Sequence, residues 1–259
     1  MIERLIPFEK YEGAGNDFVI LDFFENIWID LNDVVLIEKI CNRHFGVGAD
    51  GLIAVCPCME YDFEMKYLNS DGRFSSFCGN GSRCAASYMS KKTGKTHLSF
   101  IAADGPHTAD CDKNLVKVSM KNIVQVQHEL GFFANTGSPH LVLEYDGLDS
   151  LNVKVLGSEL RKRHSEAGTN VNFIHIHDSI IDIRTFERGV EDETLACGTG
   201  ITAAAFYLTS KLNSNGHYLI DFRAKGGNCK VELDYRDQMA ENVFLIGPAV
   251  NVFSGFLRV

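Results

Sequence analysis

Short apolar segments separated by turn residues recur along this chain and predict β-strands. Residues 18–21 and 141–143 are continuous apolar runs of strand length. Residues 115–118 and 230–233 alternate apolar and polar positions, which is typical of strands with one face in water. The pattern therefore favours sheet over helix in most of the chain.

Two helices are predicted where the pattern changes to small residues. Residues 82–89 follow a Cys-Gly-x-Gly motif at 78–81, and residues 201–208 follow a second one at 197–200. The second helix is apolar on nearly every side, so most of its surface must be covered. We expect a β-sheet to wrap around it.

The two cysteine motifs belong to a longer internal repeat. Their cysteines are separated by 197 − 78 = 119 positions, and Arg43-His44 recurs as Arg163-His164 at an offset of 163 − 43 = 120. The strand-like segments after the two helices begin at His97 and His217, again 217 − 97 = 120 positions apart. Such constant offsets between landmarks of different type indicate a duplication.

The duplication predicts an α+β fold of two pseudo-symmetric lobes. Each lobe is expected to be a mixed β-sheet wrapped around a central helix, with the active site in the cleft between the lobes. We place residues 1–122 plus 249–259 in the N-terminal lobe, which carries Cys78. Residues 123–248 form the C-terminal lobe, which carries Cys197.

Composition narrows the class of protein. The 259 residues are 45% hydrophobic and 23% charged, as in soluble globular proteins. The net charge of −9 argues against general nucleic-acid binding, and no apolar run approaches the roughly 20 residues that span a bilayer. The first seven residues lack the apolar region of a signal peptide. We therefore expect a cytoplasmic protein whose eight cysteines are free thiols.

Cys78 and Cys197 are the strongest candidates for chemistry. A helix N-terminus presents unpaired N–H groups, which favour a thiolate or a bound carboxylate. The glycine after each cysteine lets a ligand carboxylate approach these groups. Two such sites facing each other could hold one small acid and handle a proton on both faces of a carbon. By contrast, Cys84, Cys111 and Cys229 are interpreted as small buried hydrophobes.

Three other motifs are better explained by structure than by function. Residues 46–51 match GxGxxG, but a helical pattern precedes them and a strand follows, the reverse of a dinucleotide site. His175 and His177 lack a carboxylate or thiol partner at metal-ligand spacing. Cys56-Pro57-Cys58 lacks the CxxC spacing of a zinc or redox site.

Together, the motifs resemble those of the diaminopimelate epimerase family over nearly the whole chain. This family catalyses a cofactor-independent epimerisation in bacterial lysine and cell-wall synthesis. The resemblance rests on segments in the same order: residues 15–18, 43–51, 69–72, 78–84, 137–140, 170–171, 187–190, 196–200 and 247–249.

The resemblance implies conversion of LL-2,6-diaminopimelate to meso-diaminopimelate by two cysteines, without a cofactor or metal. One cysteine removes the α-proton as a thiolate and the other returns a proton to the opposite face. The resemblance also implies a homodimer. It assigns catalysis to Cys78 and Cys197, pKa tuning of the thiols to His140 and Glu187, and substrate binding to Asn16, Asn69, Gly79, Asn80, Asn170, Glu187, Arg188, Gly198 and Thr199.

This chain departs from the family pattern at three places. Ser138 stands where many members carry Asn, and Gly51 stands where some carry a substrate-contacting Gln. The acidic loop at residues 191–193 is one residue longer than its common form. None of these departures removes a catalytic group.

Two other functions remain open from the sequence. A two-cysteine racemase acting on proline or hydroxyproline would not need the asparagines and Arg188 that hold a distal amino-acid group. A thiol-redox or metal-binding protein could use Cys78 and Cys197, and would contain metal or a disulfide that cycles with function.

Overall fold

The structure is a computed structural model that describes residues 4–124, 126–128, 130–164, 168–177 and 180–258. It contains two compact units, Met1–Val118 with Pro248–Val259 and Ser119–Gly247. The units divide close to the lobe boundaries expected at 122 and 248. Residues 1–3 and 259 of the expected N-terminal lobe lie outside the described residues.

The first unit consists mainly of strands, with two helices. Its elements are β1 (Leu5–Gly13), β2 (Asn16–Asp22), α1 (Val34–Cys41), β3 (Gly51–Cys56), β4 (Phe63–Asn69), α2 (Gly79–Thr93), β5 (His97–Ala102), β6 (Gly105–Asp112), β7 (Leu115–Ser119) and, from the end of the chain, β18 (Val250–Arg258).

The second unit also consists mainly of strands, with two α-helices. Its elements are β8 (Ile123–Val124), β9 (Val126–His128), β10 (Gly131–Asn135), β11 (Pro139–Glu144), a 3₁₀ turn (Leu148–Ser150), α3 (Val153–His164), β12 (Asn170–His177), β13 (Ile180–Glu187), β14 (Asp192–Thr194), α4 (Gly198–Leu212), β15 (Gly216–Ala224), β16 (Gly227–Arg236) and β17 (Met239–Pro248).

Strand pairing follows one pattern in both units. In the first, β1–β2 is antiparallel, β2–β3 parallel, β3–β4 antiparallel, β4–β5 parallel, and β5–β6 and β6–β7 antiparallel. The second repeats this sequence through β10–β11, β11–β12, β12–β13, β13–β15, β15–β16 and β16–β17. The predicted α+β fold with an internal duplication is therefore confirmed.

The central helices α2 and α4 are each covered by the strands of their own unit. Helix α2 contacts β1 to β6 and β18, while α4 contacts β10, β11, β12, β15 and β16. Nearly all residues in the first two turns of each helix are buried. Small side chains make this possible: a Cβ on Gly81 would lie only 3.2 Å from Ile53 and Met65 of the sheet. The predicted wrapping of a sheet around a central helix is confirmed in each unit.

The other helix of each unit packs on the opposite face of the sheet. Ile37 and Ile40 of α1 form a core with Val19, Leu21 and Leu52. Each of the six residues of β3 is therefore buried, as in sheets covered on both faces. In the second unit, residues of α3 form the equivalent core with Leu141 of β11, Val171 and Phe173 of β12, and Phe186 of β13.

The contact between α3 and β13 depends on a glycine. A Cβ on Gly157 would lie 2.3 Å from the Cβ of the fully buried Phe186. We expect Gly157→Ala to lower the free energy of unfolding by about 1–3 kcal/mol, because overpacking outweighs the better helix propensity of alanine. Urea denaturation followed by circular dichroism measures this change.

A change at an exposed position of the same helix is the control. Val155→Ala should alter the free energy of unfolding by no more than about 0.5 kcal/mol. Equal stability of Gly157→Ala and the wild type would show that α3 does not pack against Phe186 as closely as described.

Candidate active site

Strand alternation places the predicted site residues on the face of each sheet that carries the central helix. In β2, Val19 and Leu21 belong to the α1 core, so Asn16, three residues before Val19, lies on the α2 face. In β4, Leu68 belongs to the α1 core and its neighbour Asn69 faces α2.

The second unit follows the same rule. His140 precedes Leu141, Asn170 precedes Val171, and Glu187 follows Phe186, where each apolar neighbour belongs to the α3 core. His140, Asn170 and Glu187 therefore lie on the face of the sheet that carries α4.

Cys78 caps the N-terminus of α2. Its backbone is extended, with φ −119° and ψ 109°, and its Sγ accepts a hydrogen bond from the Gly81 N–H at 3.4 Å. The Cys78 Sγ lies 3.9 Å from Oδ1 of Asn16, and the Asn80 amide donates to the same oxygen at 3.3 Å. The structure thus brings Asn16, Cys78 and Asn80 together.

Charged groups fix both amides beside Cys78. Nδ2 of Asn16 donates to the Asp50 carboxylate at 2.6 Å, so Oδ1 of Asn16 must face Cys78. The buried Arg83 donates to Oδ1 of Asn80 at 3.0 Å, so Nδ2 of Asn80 faces Asn16. Because a carboxylate only accepts and a guanidinium only donates, neither amide can rotate without losing a bond.

A cluster of four charged residues holds Asp50 and its neighbour Asp17 in place. Arg43 binds Asp17 and Asp50, each at 2.7 Å, and the buried Lys10 binds Asp17. Although burial opposes ionisation of Asp17, the hydrogen bonds from Arg43 and Lys10 lower its pKa to about 2. Arg43 and Asp50 lie in segment 43–51, one of the segments that carry the family resemblance. The sequence did not indicate that this charged cluster belongs to the site.

Cys197 caps α4 with the same backbone geometry as Cys78, at φ −118° and ψ 108°. Its Sγ lies 3.4 Å from Oγ1 of Thr199, and that hydroxyl lies 2.9 Å from Nε2 of His140. The backbone oxygen of Thr199 accepts a hydrogen bond from the Thr136 hydroxyl at 2.8 Å. Cys197, Thr199 and His140 therefore form a continuous polar chain.

His140 is fully buried and uncharged. Loss of water around the ring is the main reason why its pKa falls to about 3, and the nearby positive charge of Arg188 acts in the same direction. A ring with this pKa is neutral at physiological pH. His140 can therefore hydrogen-bond to Thr199, which in turn contacts Cys197, without adding a positive charge next to the thiol.

The remaining predicted residues lie at strand ends or, for Arg188, just beyond one. Oδ1 of Asn170 accepts a hydrogen bond from the Arg188 backbone N–H at 2.8 Å. The Arg188 side chain is exposed and makes no ion pair with any described residue. The Glu187 backbone oxygen accepts from the Glu191 N–H, and Asn69 ends β4.

The departures from the family pattern are explained in part. A Cβ on Gly51 would lie 2.5 Å from the Leu68 backbone oxygen, so no side chain fits there. Ser138 is half-buried and accepts a hydrogen bond from the Thr136 N–H through its backbone oxygen.

Several motifs set aside from the sequence have structural roles. Residues 46–50 lie in the turn that connects α1 to β3, and Gly51 begins β3, so a helix precedes the motif and a strand follows it. The eight cysteines are free thiols, and no three metal-ligating side chains cluster among the described residues. None of the described helices is long and apolar enough to cross a membrane.

Sequence reasoning missed Thr136, Asn172 and Thr185, which support His140 and Thr199. The available signal was a polar residue, Asn172, within the otherwise apolar segment 171–174. Such a residue at a buried strand position requires hydrogen-bond partners from neighbouring elements.

Comparison with known proteins shows the family of this chain. The sequence model for diaminopimelate epimerase matches twice, at residues 8–126 and 132–252, once in each repeat. The diaminopimelate epimerase of Flavobacterium psychrophilum is 43% identical over 252 residues, covering 94% of this chain and 97% of the relative. That of Archaeoglobus fulgidus is 34% identical over 98% and 97% of the two chains.

The chain belongs to the diaminopimelate epimerase family. It is accordingly an isomerase of the amino-acid epimerase class.

Solved structures show the same fold at low identity. A hydroxyproline epimerase from Agrobacterium vitis is 14% identical with a TM-score of 0.75, over 100% and 92% of the two chains. A phenazine biosynthesis protein from Bacillus anthracis is 15% identical with a TM-score of 0.74, over 99% and 100%.

The charged cluster around Asp17 predicts a change in acid stability. A carboxyl group with a pKa lowered from about 3.9 stabilises the fold above that pH and loses this contribution as pH falls towards about 2. We expect the denaturation midpoint of Asp17→Asn to depend less on pH between about 4 and 2 than that of the wild type. Urea titrations across this range measure the difference.

The exposed Asp71 supplies the control. Asp71→Asn should keep the pH dependence of the wild type, because its ion pair with Arg73 is long and solvated. Parallel pH curves for Asp17→Asn and the wild type would show that the Asp17 ion pairs do not stabilise the folded state.

Proposed function

We propose that this enzyme converts LL-2,6-diaminopimelate to meso-diaminopimelate with Cys78 and Cys197 as its two acid–base groups. The observation that carries the proposal is the repeated helix start, where each cysteine adopts the same capping conformation and has fixed polar neighbours. In one direction a thiolate removes the α-proton and the other thiol protonates the opposite face. No cofactor takes part.

The two-base mechanism requires an anionic intermediate to be stabilised without an electron sink. Hydrogen-bond donors fixed before the reaction are the general solution. The N-termini of α2 and α4 supply backbone N–H groups at Gly79-Asn80 and Gly198-Thr199, and helix N-termini favour bound carboxylates. We assign these groups to the carboxylate of the reacting centre.

Selection of the substrate is assigned to the distal amino-acid group. Asn16, Asn69, Asn170 and Glu187 offer polar atoms for its ammonium and carboxylate groups. Arg188 has an exposed guanidinium with no carboxylate partner among the described residues, and arginine can bind a carboxylate through two parallel hydrogen bonds. We therefore assign the distal carboxylate to Arg188, and we assign His140 and Glu187 to tuning of the thiols.

The mechanism is tested by exchange of the α-proton. Incubation of the wild type with LL-diaminopimelate in heavy water should give meso product with deuterium at the inverted α-carbon. Cys78→Ala and Cys197→Ala should each lower kcat by at least about 10²-fold, because a general acid or base is lost. The control is Cys58, a free thiol in the loop of residues 57–62 between β3 and β4. Cys58→Ala should retain wild-type activity.

Chiral chromatography measures formation of the meso product, and mass spectrometry measures its deuterium content. A cysteine variant with near-wild-type kcat would refute the two-base assignment. If the enzyme turns over L-proline or trans-4-hydroxy-L-proline and not diaminopimelate, the proposed substrate is wrong. Activity that depends on bound metal or on a cycling disulfide would support the thiol-redox or metal-binding alternative.

Arg188 gives a second test that addresses binding. Arg188→Ala should raise KM for LL-diaminopimelate by at least about 10-fold, since a charge-assisted pair contributes on the order of 1.5–3 kcal/mol. Arg236→Ala removes an exposed arginine of β16 and should leave KM unchanged. An unchanged KM in Arg188→Ala would refute its assignment to the distal carboxylate.

We further propose that the enzyme acts as a cytoplasmic homodimer. Strand β18 carries the partly exposed side chains of Phe253 and Phe256, which supports burial against a second copy. Light scattering after size-exclusion chromatography tests the dimer, and cell fractionation tests the compartment. A monomer at micromolar concentration would contradict the first statement.

A further inference from the structure

Asn172 is a fully buried polar residue whose side chain contacts none of the groups assigned to substrate. It lies in β12 between Val171 and Phe173, which belong to the α3 core, so its side chain lies on the α4 face. A Cβ on Gly200 of α4 would lie 2.2 Å from Oδ1 of Asn172. The start of the catalytic helix is therefore packed directly against this amide.

The orientation of the Asn172 amide is determined by its partners. Nδ2 lies 3.0 Å from the Leu141 backbone oxygen and 3.0 Å from Nδ1 of His140, while Oδ1 accepts from the Thr185 hydroxyl at 2.9 Å. A backbone oxygen can only accept, so the amide nitrogen must face Leu141 and His140. Rotation of the amide would place two acceptors against each other.

This orientation selects one tautomer of His140. Because Nδ1 faces an amide N–H, it must accept, and a neutral imidazole then carries its hydrogen on Nε2. Nε2 lies 2.9 Å from Oγ1 of Thr199, which can accept this hydrogen. Nδ2 of Asn170 is farther away, at 3.4 Å, and donates to the Pro139 backbone oxygen.

The tautomer in turn determines the direction of the Thr199 hydroxyl. Once Oγ1 accepts from His140, its own hydrogen is available to Sγ of Cys197 at 3.4 Å. A hydrogen bond donated to sulfur favours the thiolate over the thiol. The surroundings of Cys78 are different, because Oδ1 of Asn16 can only accept.

We propose that Asn172 is a positioning residue that holds His140 in its Nε2–H tautomer, so that Thr199 donates a hydrogen bond to the Cys197 thiolate. Asn172 touches neither the substrate nor the reacting sulfur and acts through His140 and Thr199. Among the described groups, Arg188 adds its positive charge near His140 and further disfavours protonation of the ring. The proposal rests on the function proposed above, because it concerns the same thiol.

The tautomer can be observed directly in the wild-type enzyme. Nitrogen-15 NMR of the labelled full-length protein distinguishes protonated and unprotonated ring nitrogens, with the His140 signals identified through His140→Gln. We expect a neutral ring with the hydrogen on Nε2 throughout pH 5–8. A hydrogen on Nδ1, or a charged ring at pH 7, would overturn the proposal.

The effect on the thiol is measured by alkylation. Because the thiolate is the reactive form, the pH dependence of iodoacetamide modification reports the titration of each cysteine, resolved by peptide mass spectrometry. Asn172→Leu should move the Cys197 profile up by about one pH unit or more while the Cys78 profile stays in place. Thr209→Val removes another buried hydroxyl of the same helix and should move neither profile.

Equal Cys197 profiles in Asn172→Leu and the wild type would overturn the proposal, and so would a shift of the same size in Thr209→Val. If Asn172→Leu does not fold, the wild-type NMR result decides. Neither measurement uses substrate, so failure to epimerise diaminopimelate would refute the proposed function without affecting these results.

Discussion

Close packing between a small-residue helix and the inner face of a mixed sheet is the constraint on which each unit depends. The first two turns of α2 and α4 are buried almost completely, and glycines at 81 and 200 let the sheet approach. This packing holds each helix N-terminus, with its capping cysteine, beside polar side chains from the ends of the strands. The two capping cysteines are therefore positioned by the core itself.

Duplication produced two equivalent scaffolds with different surroundings for the two thiols. In the first unit, ionised side chains fix the neighbours of Cys78: Asp50 orients Asn16 and Arg83 orients Asn80. In the second unit, a neutral network of hydroxyl, imidazole and amide groups leads from Asn172 to Cys197. The proposed mechanism needs the two thiols in different protonation states at the start of each turnover, and this difference in their surroundings supports that requirement.

The fold of this diaminopimelate epimerase family member is shared with proteins outside the family. The hydroxyproline epimerase from Agrobacterium vitis has the same fold at 14% identity, so the fold alone does not select a substrate. We propose that selection comes from side chains at or just beyond the strand ends, such as Asn69 and Arg188. These residues lie where the core ends and where substitution affects packing least.

The sequence determined the repeat, the strands, the central helices and the two capping cysteines. The strands, helices and capping cysteines follow from local hydrophobic periodicity and glycine positions, whereas the repeat follows from constant offsets between distant landmarks. The sequence also identified Asn16, His140 and Asn170 through a family resemblance. It did not reveal the hydrogen bonds that these residues make, nor did it place Thr136, Asn172 or Thr185 beside His140 and Thr199.

Only the tertiary structure decided the hydrogen-bond directions. The orientation of Asn16 depends on Asp50, which lies 34 residues away, and the tautomer of His140 depends on Asn172, which lies 32 residues away. Amide and imidazole groups can each present a donor or an acceptor, so their role depends on the partners that folding brings to them. A linear pattern names such residues, but only their three-dimensional neighbours determine which atom faces the sulfur.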